Sequence, residues 1–391
     1  MKQYDFDYTP SRWNTFSLKW DIKPNELPMW VADMDFETAP EVKEAMIKRA
    51  EHGIYGYSII PEEFFSSIQS WWKKRHHVEW KREWMIYSSG IVAAISSIVR
   101  RFIKKGDFVL IQSPVFNIFY NSILNNQGTV LSNDLVYKDG KYSIDFTDLE
   151  EKLSLESTKM MILCNPHNPV GKIWSVEELT RIATLCKKYN VLLLSDEIHC
   201  EFVRPGLHYN SLGSLDSDLL DNAIILVAAS KTFNLAGLQS ACVIVPNERI
   251  RKIVDRGLNT DEVAEPNAFS MIANIAAFTY GEKWVDALIE YIDQNRKYAT
   301  EFIHTHLPHL HLVEQEATYL LWIDISYYSS NSVEFVEELR KETGLYVSDG
   351  MEYGLNGASF IRVNIATSKK NVEDGMHRLE MFIQKKENKT L

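Results

Sequence analysis

A chain of 391 residues exceeds the usual span of one hydrophobic core, so two domains sharing an interface are expected. With 45% hydrophobic and 24% charged residues, its composition is that of a globular protein and excludes a disordered or fibrous one. The net charge of −11 comes from interspersed acidic and basic residues, and without a basic stripe to neutralise a phosphate backbone it argues against nucleic acid as a partner.

The amino terminus, Met1-Lys2-Gln3-Tyr4-Asp5-Phe6-Asp7, turns acidic at once and carries no apolar leader segment. No run is apolar and long enough to cross a bilayer, and the four cysteines, Cys164, Cys186, Cys200 and Cys242, form neither a CxxC pair nor a compact disulfide framework. A cytoplasmic protein with reduced thiols and no metal is expected. The tryptophans Trp71, Trp72, Trp80 and Trp84 read as helix packing.

Between residues 85 and 250, short apolar runs alternate with amphipathic stretches: Phe108 to Gln112, Met160 to Asn165, Val191 to Asp196, Ile224 to Ser230 and Ala241 to Val245. Ser175, with Glu178 three residues on, opens a helix carrying Leu179, Ile182 and Leu185 on one face. This alternation predicts a mostly parallel sheet, whose ligands collect at the carboxyl ends of its strands. Beyond residue 285, a helix from Trp284 to His306 and strands at Tyr319 to Ile323 and Phe360 to Val363 suggest a smaller α+β domain. The expected division is therefore residues 1–45 packing with the small domain, 46–284 as the large domain and 285–391 as the small one. Lys385-Lys386-Glu387-Asn388-Lys389 reads as a frayed, solvated terminus.

Several strand ends carry chemistry. Ala228-Ala229-Ser230-Lys231 puts a lysine directly after a buried strand, where desolvation would lower its pKa. Ser195-Asp196-Glu197-Ile198-His199 ends the preceding strand, and a carboxylate there could hold a pyridine nitrogen protonated, making the ring an electron sink. In Asn165-Pro166-His167-Asn168-Pro169-Val170-Gly171, Asn168 could donate its amide to a ring oxygen; the plain alternative is an Asn-Pro loop. Ser88-Ser89-Gly90-Ile91-Val92 precedes an Ala/Ile-rich helix whose first backbone N–H groups suit a phosphate, the alternative being a serine N-cap. Arg362 follows a short apolar strand, and its guanidinium fork matches an α-carboxylate, or a surface salt bridge.

In this order, NPxNPxG, SDExH, SK and a late arginine resemble the fold type I pyridoxal-phosphate enzymes over nearly the whole chain. Within them, Met29-Trp30-Val31-Ala32-Asp33-Met34-Asp35-Phe36, Tyr55-Gly56-Tyr57 and SDEIH resemble the cystathionine β-lyase family of the PatB/MalY type. The resemblance implies a large domain built on a mostly parallel seven-stranded sheet plus a smaller α+β domain, and pyridoxal 5′-phosphate as cofactor. It implies Lys231 as the lysine that bonds the cofactor and carries the proton, Asp196 at the pyridine nitrogen, Asn168 at the ring oxygen and Arg362 at the substrate carboxylate. Gly90, Ile91, Val92 and Ser230 would hold the phosphate and Phe116 would stack on the ring. Asp33 would lie near the substrate. Tyr57 would reach the phosphate of a neighbouring subunit in a homodimer and aid proton transfer.

Three positions depart from the broader aminotransferase pattern: Ala228 stands for a serine, Gln239 for an arginine and His199 for a tyrosine. Losing the arginine shifts anion binding onto backbone amides, Ser230 and Tyr57. His199 either touches the ring oxygen or is hydrogen-bonded beneath the site. The implied reaction is α,β-elimination from L-cystathionine or a related S-conjugate of L-cysteine. Amino transfer by the same lysine and aspartate is the nearest alternative, and a regulatory protein that keeps the cofactor site is a second.

Overall fold

In the computed structural model, which describes residues 4–390, the apolar runs become one seven-stranded sheet. Its strands are β1 (Met85–Ser88), β2 (Phe108–Ile111), β3 (Thr129–Ser132), β4 (Thr158–Cys164), β5 (Leu192–Asp196), β6 (Ala223–Val227) and β7 (Ala241–Ile244), in spatial order β1-β7-β6-β5-β4-β2-β3. The neighbours from β6 to β3 run parallel, while β7 is antiparallel to both β6 and β1. Side chains alternate across the sheet and both faces are covered: Met160, Ile162, Leu192, Leu194, Ile224 and Leu226 join one core, and Met161, Leu163, Leu193, Ile225 and Val227 join the other. Each such buried side chain contributes roughly 1.5–3 kcal/mol, which fixes the register of the polar strand ends.

Helices cover the faces, among them α1 (Pro40–His52), α2 (Glu62–His76), α3 (Ile91–Phe102) and α4 (Val176–Lys188). The capping box expected at Ser175 and Glu178 is present, and Leu179, Ile182 and Leu185 are buried. Trp71, Trp72 and Trp80 are buried, the first two on α2. One expectation changes at the chemical centre: β6 stops at Val227, and Ala229–Thr232 forms a single helical turn that carries Lys231.

The second sheet has four antiparallel strands, β8 (His311–Leu312), β9 (Leu320–Asp324), β10 (Ser348–Asp349) and β11 (Phe360–Asn364), in the order β8-β9-β11-β10. It is reached through a long helix, α5 (Glu282–His306). The early residues pack here: Leu27–Pro28 pairs in parallel with Leu345–Tyr346, and Phe6 meets Trp284 and Tyr291. The lysine-rich end is not frayed but continues the helix α6 (Lys369–Thr390), where Lys385 pairs with Glu342 at 2.9 Å and Lys386 with Glu338 at 2.8 Å. Met1 to Gln3 and the Lys389 side chain, part of the two terminal readings, lie outside the described residues. Among the described residues no helix is long and apolar enough to cross a membrane.

Candidate active site

The carboxyl ends of β4, β5 and β6 converge on a cavity of about 510 Å³, whose lining includes Phe116, Asn168, Asp196, His199, Ser230 and Lys231. Lys231 reaches it because the chain turns helical directly after β6. Its amine donates to the Ala32 carbonyl at 2.7 Å. Burial, and then the nearby Arg362, pull its pKa down to about 8, against the opposing charges of Asp33 and Asp196.

Asp196 and Glu197 are adjacent at the end of β5, so the pleat sends their carboxylates apart. Glu197 points away from the cavity and accepts from Ser195 Oγ at 2.9 Å, Ser211 Oγ at 2.7 Å and the Leu212 N–H at 2.9 Å. Asp196 faces the cavity with one internal hydrogen bond, from the Ile198 N–H at 3.2 Å. Burial pushes its pKa up to about 7, and Lys231 offsets part of that. Behind it, His199 is buried, its Nδ1 has no protein partner, and burial drives its pKa well below the usual imidazole range. The ring stands edge-on to Tyr319 at 5.9 Å, so this histidine lines the cavity without being locked beneath it.

At the other end of the cavity, Gly90, Ile91 and Val92 open α3. The N-cap is Gly90 at φ 126°, with no side-chain cap, so the serine cap weighed for this turn is not made and the first-turn N–H groups point out unoccupied by a serine oxygen. Gln239, in the place of the missing arginine, lines this end in the left-handed conformation at φ 48°. Ser240 beside it is buried with its Oγ unpartnered, a hydroxyl that sequence reasoning did not single out. Among the described residues, no lysine or arginine other than Lys231 lines the cavity.

Arg362 arrives from β11 of the other sheet. Its Nη1 donates to Asn168 Oδ1 at 3.3 Å and its Nη2 to the Trp30 carbonyl at 2.9 Å, and its guanidinium lies 4.7 Å from the centre of the Tyr353 ring. Nε is buried without a partner. With Asn168 Oδ1 committed to Arg362, the Asn168 amide nitrogen is the atom left to donate into the cavity. The surface salt bridge considered for Arg362 is not made, since Arg362 is 5% exposed, while Asn168 does sit in an Asn-Pro turn, buried at 3% exposure with its side chain on the cavity.

Three expected residues do not line the cavity: Arg362, which borders it through Asn168, and Tyr57 and Asp33. Tyr57 is fully exposed in the segment between α1 and α2 and does not line it. Asp33 is clamped by Arg12, with Nη2 to Oδ2 at 2.6 Å and Nη1 to Oδ1 at 3.1 Å. Arg12 also holds Asp35 at 3.0 Å, which the fully buried Lys19 approaches at 3.0 Å. No spacing signal exists for this cluster, because its partners meet in an irregular segment. His76, Cys200 and Glu201 bring ligand atoms within 4.8 Å of one another. Glu201 is already taken by Trp71 at 2.6 Å, Arg75 at 2.8 Å and His76 at 2.7 Å, so the group is a buried ion-pair network.

These residues fit pyridoxal phosphate: an amine at a strand end, a buried carboxylate facing it, unpartnered buried donors and a helix N-terminus lie around one cavity. Cystathionine β-lyase PatB of Bacillus subtilis is 38% identical over 383 residues, covering 96% of this chain and 99% of that protein. Cystalysin of Treponema denticola, solved with pyridoxal 5′-phosphate, superposes with a TM-score of 0.94 at 31% identity over 98% of this chain and 99% of its own. A pyridoxal-phosphate-bound C–S lyase of Staphylococcus hominis, complexed with L-cycloserine, gives 0.91 at 32% identity over 97% and 98%. The model of the aminotransferase class I and II family matches residues 26–379, and with a sheet and site of this form the chain belongs to that family, in the fold type I architecture.

Proposed function

We propose that the chain is a pyridoxal-phosphate-dependent C–S β-lyase that converts L-cystathionine, or a related S-conjugate of L-cysteine, and water to pyruvate, ammonia and a thiol. The carrying observation is that Lys231 and the buried Asp196 line one cavity, with Arg362 bonded to Asn168 at its wall, in a chain 38% identical to a cystathionine β-lyase. Residues 46–284 then act as the cofactor-binding domain, and 285–391 with 1–45 as the domain that brings Arg362. Four free cysteines, all buried, agree with a reducing cytoplasm.

Pyridoxal phosphate, when bound, supplies a carbonyl carbon that takes up the amino group and a ring that accepts an electron pair from Cα. Arg362, oriented by Trp30 and Asn168, presents its remaining N–H donors to the α-carboxylate. With a pKa near 8, Lys231 is partly neutral around pH 7–8 and can take the Cα proton. The same amine can return that proton to the departing sulfur. Asp196 would face the cofactor's ring nitrogen and favour its protonated form, and Phe116 would lie against the ring. Tyr57 would act from a second copy of the chain in a homodimer, a reading supported by its full exposure beside exposed Ile54 and Ile59.

The test is incubation of the cofactor-loaded protein with L-cystathionine. Pyruvate and free thiol should appear in equal amounts, and Lys231→Ala should reduce both to background. Amino transfer to a 2-oxo acid without pyruvate would instead make the chain an aminotransferase and overturn the proposal.

A further inference from the structure

The segment Met29 to Phe36, its carbonyls taken mostly by side chains, passes the site as an irregular strap that touches the cavity at Ala32. Six consecutive carbonyls are engaged. Met29 accepts from the Asn364 N–H at 2.8 Å, Trp30 from Arg362 at 2.9 Å and Ser348 at 3.2 Å, and Val31 from Asn364 Nδ2 at 2.6 Å. Ala32 accepts from Lys231 at 2.7 Å and the Tyr319 hydroxyl at 3.0 Å. Asp33 accepts from Asn364 Nδ2 at 2.6 Å, and Met34 from Arg12 and Asn234, each at 3.0 Å. The strap therefore gives an acceptor to both site cations, Lys231 and Arg362.

The Ala32 carbonyl is the one shared between Lys231 and a group with no assigned part in the reaction. Tyr319 is fully buried where β9 begins, its ring packed on His199 and on Phe202 at 4.8 Å. Asn364, fully buried on β11 two residues beyond Arg362, clips the carbonyls on either side of Ala32 with both amide hydrogens. Its Oδ1 is satisfied by the Ala366 N–H at 2.8 Å. A peptide plane held at its flanks and at its own oxygen cannot rotate away from the amine.

We infer that Tyr319 is a positioning residue: its hydroxyl, together with the Asn364 clip, fixes the Ala32 carbonyl where it receives the Lys231 amine whenever that amine is not bonded to the cofactor. This rests on Lys231 being the cofactor lysine. A fixed carbonyl favours the ammonium form, since an acceptor binds a charged donor more strongly than a neutral one. The other groups facing the amine are Asp196 from β5, His199 beyond it, Asp33 in the strap with Arg12 behind it, and Arg362 from β11. Tyr319→Phe changes none of them and keeps the ring contacts.

The test reads the amine itself. In the full-length chain freed of cofactor, Lys231 acylation by an amine reagent is followed against pH by peptide mass spectrometry. The wild-type midpoint should exceed that of Tyr319→Phe by about one pH unit, a tenfold difference in proton binding. Asn364→Ser should move it in the same direction, and it carries the test if Tyr319→Phe does not fold. A folded variant with the wild-type midpoint, or a raised one, overturns the inference. No substrate is present, so a chain that proved to be an aminotransferase would leave this result standing, whereas full lyase activity in Lys231→Ala would remove its premise.

Discussion

Asp196 and Glu197 show how one residue step decides chemistry. Both are buried carboxylates, but Glu197 is surrounded by three donors and Asp196 has one. That Lys231, Asp196 and Arg362 would come near one another was legible from strand ends and motif order. The clamp on Asp33 was not, because Arg12 lies in a stretch without periodicity. The raised pKa of Asp196, about 7, has a thermodynamic consequence. Because the folded value lies above the unfolded one, its contribution to stability is full below about pH 4 and is lost as pH rises through 7. Without cofactor, the wild-type chain should therefore lose roughly 2–4 kcal/mol relative to Asp196→Asn between pH 4 and pH 8. Urea unfolding of both proteins at the two pH values measures it. A difference that does not change with pH would mean that Asp196 is solvated rather than buried. A cation held against Asp196, as the cofactor would provide, offsets this cost.

At the scale of elements, the strands that position the site were legible as apolar runs, but the two edge strands of the seven-stranded sheet were not. Met85–Ser88 and Thr129–Ser132 are four residues each and lie at the two sheet edges, too short to show a period. The antiparallel run of β7 was equally hidden, since strand direction leaves no trace in composition. The loop before β11 bears on the site more directly. Gly354 has φ 132°, a region that side chains avoid, and a Cβ there would lie 2.1 Å from Ser113 Oγ and 2.7 Å from the Tyr120 hydroxyl. Its neighbour Tyr353 accepts from the Val115 N–H at 2.8 Å and packs beneath the Arg362 guanidinium. Gly354→Ala should cost about 1–3 kcal/mol in urea unfolding through backbone strain. By displacing Tyr353 it should also raise KM for the amino acid more than it lowers kcat. A variant with wild-type stability and KM would show that this loop yields without disturbing Arg362.

At the scale of the whole molecule, the site is assembled from segments more than three hundred residues apart, from the strap at Ala32 to Arg362, and no local pattern announces that meeting. Tyr57 extends the question beyond one chain, since it is exposed with Ile54 and Ile59 and does not line its own cavity. If it completes the site of a second copy, the protein should sediment as a dimer, and two defects on different chains should complement. Tyr57→Ala and Lys231→Ala should each be nearly inactive alone. After unfolding and refolding together in equal amounts, half the dimers are mixed, and each mixed dimer contains one site with both Lys231 and the other chain's Tyr57. Activity should then recover to about a quarter of wild type, the statistical share for a two-fold symmetric assembly. Were Tyr57 to act within its own chain, no mixed dimer would hold an intact site and the mixture would remain as inactive as its components. The recovered fraction thus separates a shared site from a private one without any change in the chemistry being assayed.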